Sequence, residues 1–283
     1  MTKAATLYGH RGAALHGAML KRPAVLPVVV LVGLGVAACA SARSQEAKTA
    51  PSKLMDTAAM VRFPPVTFTM GFDQGEPDET PTHEVTLKAF RLDRTEVTNA
   101  DYRECVDGNV CGTATSLSTA GLNGGRQPVV GVSWYDADKY CRWVGKRLPS
   151  EAEWERAVRG SAGRMYPFEG KWVAGICNVR GTADGFESTA PVGSLPKCVS
   201  ADGPVLDLCG NASEWTNDWY DPNYYTKAEA MTDPQGPTVA SGEKVVRGGS
   251  YLDPEFVSRG TSRHRLELNQ HSNSVGFRCA ADE

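Results

Sequence analysis

The chain has 283 residues, 41% hydrophobic and 22% charged, enough to bury a full core in one large domain or two small ones. Its 30 Lys and Arg against 33 Asp and Glu leave a formal charge of −3, with the two signs mixed along the length. There is no basic stripe, polybasic tail or acidic block, which excludes nucleic acid as a partner.

Near the start, Lys21-Arg22 precede an apolar run from Val25 to Ala38 that ends in Val36-Ala37-Ala38-Cys39. A basic start, a short apolar stretch and small residues before a cleavage point mark a secretory signal. The run is shorter than the roughly 20 residues needed to cross a bilayer. Small residues directly before a cysteine resemble a bacterial lipobox, whose thiol is acylated and becomes the mature first residue. Residues 1–39 are therefore expected to be a signal segment, with Met19 as an alternative start and Cys39 as the lipidation site. The acyl chains would anchor the protein to a membrane at about 0.8 kcal/mol per buried CH₂. Ala40 follows the cysteine where an inner-membrane retention signal has aspartate, which points to the outer membrane, on its periplasmic or surface face. Residues 40–60 hold little that packs and read as a flexible tether. Export also brings the seven cysteines after Cys39 into oxidising conditions.

From Val61 onward the pattern is one of short alternating stretches rich in Gly and Pro. Phe63 to Met70 and Glu84 to Leu92 predict strands on either side of a polar loop from Asp73 to His83. Cys105 and Cys111, six apart around Gly108-Asn109, are spaced to close a local hairpin. Ser133 is placed to cap a helix with Trp134, Ala137, Cys141 and Val144 on one face and Gly145 as its stop. Ser150 and Glu153 form a capping box for a second helix, with Trp154, Ala157 and Val158 turned inward and Gly160 ending it. Beyond Gly160 the pattern gives loops with isolated strands, and long loops need disulfides or ions to fix them. Cys177 pairs with Cys198, or Cys198 with Cys209, and the odd number leaves at least one thiol free.

Several candidates carry no chemistry on their own. His83, His264 and His271 lack zinc-ligand spacing, and Ser250 has no histidine base at a recognisable distance. Trp134, Trp143, Trp154, Trp215 and Trp219 read as core. Asp218, Asp221 and Asp233 read as solvated loop carboxylates.

Longer motifs say more. The stretch from Pro128 through Ser133-Trp134-Tyr135-Asp136-Ala137 runs on to Gly145-Lys146-Arg147-Leu148-Pro149-Ser150-Glu151-Ala152-Glu153-Trp154-Glu155. With it come Met70-Gly71, Thr95-Glu96-Val97-Thr98-Asn99, Gly210-Asn211-Ala212-Ser213-Glu214-Trp215, Arg247-Gly248-Gly249-Ser250-Tyr251 and Gly276-Phe277-Arg278-Cys279. In this order, over residues 61–283, they resemble the formylglycine-generating enzyme family, also called sulfatase-modifying factors. The resemblance implies a single α+β domain, a variant of the C-type lectin-like fold with little regular secondary structure. It also implies a disulfide between Cys141 and Cys279, and a polar cleft lined by Arg247, Ser250 and Arg263. For Arg278 an ion-pair role is the better reading.

Catalytic members of the family hold Cu(I) on two cysteines of the C-terminal loop and use oxygen to convert a sulfatase cysteine to formylglycine. Here that loop reads Leu252-Asp253-Pro254-Glu255-Phe256-Val257-Ser258, and no cysteine lies between Gly210 and Arg278. The family cysteines fall on Asp253 and near Ser258, which offer hard oxygen to a soft ion. Copper is therefore not expected. Ser213 also replaces the tryptophan usual before Glu214. Structural calcium is expected at two oxygen-ligand sets carried over from the family: Asp207, Gly210, Ala212 and Glu214, and Asn178, Val179, Asp184 and Phe186. The resulting reading is a non-catalytic ligand-binding or scaffold module for an unidentified peptide, protein or envelope ligand. The alternatives are an oxidase with a divergent site and a component of an envelope secretion or gliding machine.

Overall fold

The computed structural model describes residues 59–283. The expected signal segment, Cys39 and the tether as far as residue 58 lie outside the described residues. Folded chain is already present at Ala59, whose carbonyl accepts from Arg94 N–H at 3.0 Å, two residues ahead of the expected boundary.

Four strands open the domain: β1 (Met60–Phe63), β2 (Val66–Met70), β3 (His83–Leu87) and β4 (Phe90–Asp93). The sequence pattern predicted two longer strands, and each is cut. Pro64-Pro65 separates β1 from β2, because proline has no N–H to extend a ladder. Lys88-Ala89 separates β3 from β4, and Lys88 N–H there donates to the Asp233 carboxylate at 2.6 Å. The ribbon consequently divides: β2 pairs with β3 (Val66 opposite Leu87), while β1 pairs with β4 (Phe63 opposite Phe90). The last strand, β9 (Ala280–Asp282), covers the other edge of β4.

Three α-helices follow among the described residues. The first, α1 (Asn99–Asp107), is absent from the sequence reading; the Thr98 hydroxyl caps it by accepting from Asp101 N–H at 3.1 Å. Cys105 lies in its last turn, so the Cys105–Cys111 disulfide seals a helix exit, not a hairpin. The other two, α2 (Trp134–Trp143) and α3 (Glu151–Arg159), form where their caps predicted. Ser150 and Glu153 make the reciprocal box, and Gly160 ends α3 at φ +62°, a left-handed value that costs glycine little.

A third sheet runs in the order β7 (Arg263–Glu267), β6 (Glu243–Arg247), β5 (Ser213–Trp219), β8 (Val275–Gly276). Its pairs are antiparallel except β5–β8. Trp154 and Trp215 are fully buried, whereas Trp134, Trp143 and Trp219 are only partly so.

All nine residues of α3 are buried, five of them charged. Burying charge is tolerable only with partners, and the neighbouring strands supply them. Arg247 donates to Glu155 at 2.5 Å and to the carbonyls of Gly260, Thr261 and Ser262. Arg263 grips both oxygens of Glu151, at 2.8 and 2.9 Å. The two arginines expected to line a cleft therefore stand inside the core, because their guanidinium groups neutralise the helix carboxylates. Asp218 is not a solvated loop residue either. It is buried on β5 and accepts from Glu151 N–H at the start of α3, at 2.8 Å. Burial, followed by the nearby Glu151 charge, pushes its carboxyl up to about 8. Asp221 and Asp233 pair with Lys227 and Lys88.

Disulfides hold the long connections. Cys141–Cys279 joins α2 to the approach to β9 across 138 residues, a loop closure of about 4 to 5 kcal/mol by chain entropy. The pairing left open by the sequence resolves as Cys177–Cys198, and Cys209 stays free and buried.

Candidate functional site

The turn between β6 and β7 carries Ser250, Asp253 and Ser258, which the family motif places at the centre of its chemistry. Ser250 Oγ donates to Asp253 Oδ2 at 2.6 Å, and the same oxygen accepts from Ser250 N–H at 3.0 Å. Asp253 is thus occupied in fixing its own turn. Ser258 is fully buried, and its hydroxyl has no hydrogen-bond partner. It lies behind Gly249, at φ +64°, where an added Cβ would come within 2.3 Å of Ser258 Oγ. Ser250 is also fully buried.

Arg180 clamps this turn from the opposite loop. Its N–H donates to the Asp253 carbonyl at 2.8 Å and its Nε to the Leu252 carbonyl at 2.8 Å. Between the two loops opens a cavity of about 380 Å³ walled by Trp172, Val179, Pro254 and Phe256, with Asp184 and Glu255 as its acids. Phe256, in its wall, is 62% exposed. Sequence reasoning missed this apolar mouth; the available signal was an aromatic in a short loop with no periodicity to explain it.

Cys209, the one free cysteine among the described residues, is packed with Phe168 and the Cys177–Cys198 bridge. Burial holds its thiol far above the usual range, so it is protonated at neutral pH and shut away from solvent. No pair of free thiols exists among the described residues to hold Cu(I), and neither Asp253 nor Ser258 fits that ion.

The two oxygen-ligand sets differ from one another. In the second, Val179 and Asp184 line the same cavity, while Asn178 Nδ2 donates to the Ser188 carbonyl at 2.9 Å. Asp184 Oδ1 accepts from Phe186 N–H at 3.0 Å, while its Oδ2 is buried without a partner. An orphaned carboxylate oxygen of this kind fits a hard cation. In the first set, Asp207 Oδ2 accepts from Gly193 N–H at 2.6 Å. Glu214 is fully committed elsewhere: Arg278 grips its two oxygens at 2.7 Å each, and Trp154 Nε1 donates at 2.9 Å. As carried over, with Glu214 as a ligand beside Gly210 and Ala212, the first set does not fit calcium. Arg278 is accordingly an ion-pair residue. No group of three or more His, Cys, Asp or Glu side chains among the described residues converges as metal ligands would.

The match to known proteins decides the ancestry of this site. The model of the sulfatase-modifying factor enzyme 1-like domain covers residues 44–283. The chain belongs to the sulfatase-modifying factor family. It is 35% identical to the formylglycine-generating enzyme of Streptomyces coelicolor, over 80% of this chain and 90% of that protein. It is 30% identical to a Bos taurus protein named inactive C-alpha-formylglycine-generating enzyme 2, over 80% of this chain and 88% of the relative. Among solved structures, PvdO from Pseudomonas aeruginosa superposes with a TM-score of 0.68 at 30% identity, over 79% of this chain and 94% of PvdO. The sulfatase-modifying factor fold accounts for short strands, three helices and a loop-built site in one α+β domain.

Proposed function

We propose that this sulfatase-modifying factor domain does not oxidise cysteine and serves as a ligand-binding or scaffold module on an exported, lipid-anchored protein. The observation that carries the reading is the 250–258 turn. It holds Asp253 tied to Ser250 and Ser258 sealed behind Gly249, where the oxidase needs two accessible thiols. A family that includes a relative named as inactive makes such a loss unsurprising. The apolar mouth at Trp172 and Phe256 supports a peptide or protein segment as the ligand, entering by an apolar side chain. Calcium at Asp184, together with three disulfides, would stiffen the loops that form this mouth. The lipidated Cys39 would tether the domain to the outer membrane.

The test is incubation of the purified full chain with a Cys-x-Pro-x-Arg peptide, Cu(I), a thiol reductant and oxygen, read by the peptide's mass. The expected result is no conversion to formylglycine under conditions where an active family member converts it fully. Turnover above the protein-free control overturns the reading.

A further inference from the structure

The geometry points to a thiol–disulfide exchange centre behind the apolar mouth: Cys209 takes over Cys198 and frees the Cys177 thiol, which binds a disulfide-bearing ligand covalently. Three sulfurs make it up. Cys177, Cys198 and Cys209 share one apolar cluster with Phe168, Tyr166 and Trp172. Two of them are bridged and the third is left over. A thiol packed beside a disulfide can exchange with it without any outside oxidant.

The backbone already holds Cys198 and Cys209 together. Val199 pairs antiparallel with Leu206, Ser200 N–H donates to the Val205 carbonyl at 2.8 Å, and Asp207 N–H to the Cys198 carbonyl at 3.2 Å. At the open end of this hairpin, Cys198 Sγ lies 3.5 Å from the Cys209 carbonyl oxygen. The bridge that is formed spans 21 residues and the alternative one spans 11. Closure entropy changes only with the logarithm of loop length, so the chain favours neither pairing strongly. The two differ in which sulfur is set free. Cys209 is fully buried, whereas Cys177 lines the cavity of about 380 Å³ together with Trp172, Val179 and Phe256.

The steps balance in atoms and electrons. Cys209 gives up its proton and its sulfur attacks Cys198 Sγ. The Cys198–Cys209 bond forms, the Cys177–Cys198 bond breaks, and Cys177 leaves as the thiolate and takes up a proton. Cys177 in turn gives up that proton and attacks a disulfide R–S–S–R′ in the mouth, forming Cys177–S–S–R and releasing R′–S⁻, which is protonated. Each step makes one disulfide and breaks one. Burial, followed by the nearby Glu255 charge, holds the Cys209 thiol far above the usual range. Exchange is therefore slow at neutral pH and quickens about tenfold per pH unit as the thiolate fraction grows. The inference rests on the mouth as the ligand's way in, and on nothing about cysteine oxidation.

The test exposes the full chain in detergent to oxidised glutathione, without reductant, from about pH 7 to about pH 9. Free thiols are then blocked with N-ethylmaleimide, and digestion without reduction followed by mass spectrometry assigns the bonds at Cys177, Cys198 and Cys209. Wild type is expected to gain glutathione on Cys177 with Cys198 and Cys209 joined, at a rate that rises about tenfold per pH unit. Cys209→Ala lacks the attacking sulfur; it keeps Cys177–Cys198, which reports that it has folded, and gains no glutathione on either. Cys177→Ala forms Cys198–Cys209 and likewise gains none. Glutathione on Cys209 with Cys177–Cys198 intact overturns the proposal, as does labelling of Cys177 in Cys209→Ala. Unjoined Cys198 and Cys209 in Cys177→Ala, or a wild type still unlabelled at the highest pH, overturns it equally. The formylglycine assay is blind to all of these outcomes, so the functional reading is decided separately.

Discussion

Two sets of buried carboxylates lie in this domain and are handled in opposite ways. Against α3, Glu151 and Glu155 face Arg159, Arg247 and Arg263, and each of their four oxygens has a donor within 2.9 Å. Around the Asp207 turn, three carboxylates share Arg278, and one oxygen has nothing. The first set is complete when the chain folds and explains why α3 tolerates burial on every side. In the second, burial holds Glu96 and Asp207 above the ordinary carboxylate range. A buried acid is thus held as an ion pair or pushed towards its protonated form according to the cations its own neighbours provide.

The largest expected effect tests the self-sufficient set. Arg247→Met leaves Glu155 without its strongest partner and should lower unfolding free energy by about 3 to 5 kcal/mol in urea titration, by the cost of a broken buried pair. A loss below about 1 kcal/mol would mean that Glu155 finds a substitute partner and would erase the distinction between the two sets.

Next in size is a pH response at the edge of the same network. Asp218 sits up near 8 in the folded chain, against about 3.9 when unfolded. The native state therefore holds an extra proton between those values, and stability is fully present below about pH 4 and falls as pH rises towards 8. Lys244, sandwiched between the rings of Trp134 and Trp219, is pushed down to about 8 by burial. Its penalty is in force below 8 and is relieved between there and about 10.4, so stability recovers on the alkaline side. Unfolding curves across pH should show this dip, and Asp218→Asn should flatten its acid limb while leaving the alkaline one.

A smaller effect sharpens the second set. Glu96→Gln removes a buried carboxyl whose ionisation is opposed by burial and by Asp207, and should raise stability in urea titration by about 1 to 3 kcal/mol at alkaline pH. A fall of similar size would mean that Glu96 already has its partner within the chain. Smallest of all is Phe256→Ser. The side chain is 62% exposed, so stability should move by no more than about 0.5 kcal/mol. A larger drop in urea titration would make the apolar mouth part of the core and not a docking surface.

How far the sequence went follows from the range of each interaction. The ends of α2 and α3 were legible because caps act within three or four residues, as at Ser133 and Ser150. The Cys141–Cys279 bridge, implied by the resemblance, closes as expected. The α1 helix escaped because only Asn99, Tyr102 and Cys105 face inward among charged neighbours. Arg247 and Arg263 were misplaced at a cleft because their partners are 92 and 112 residues away, and no local pattern reveals a counter-ion at that distance. Glu96 was visible only as one letter of a motif. Its orphaned oxygen exists only after Asp207, Asn211 and Glu214 have been folded around it.

The contact between Gly249 and Ser258 bears on whether the oxidase chemistry could be installed in this turn. Writing cysteine at 253 and 258 would place both sulfurs in the primary sequence, yet the second would be fully buried behind Gly249, out of a peptide's reach. Such a double revertant is expected to stay inert in the formylglycine assay, and any turnover by it would show that the turn can reopen. If the proposed loss holds, packing has been built over the site, and the path back runs through the backbone and not through two codons.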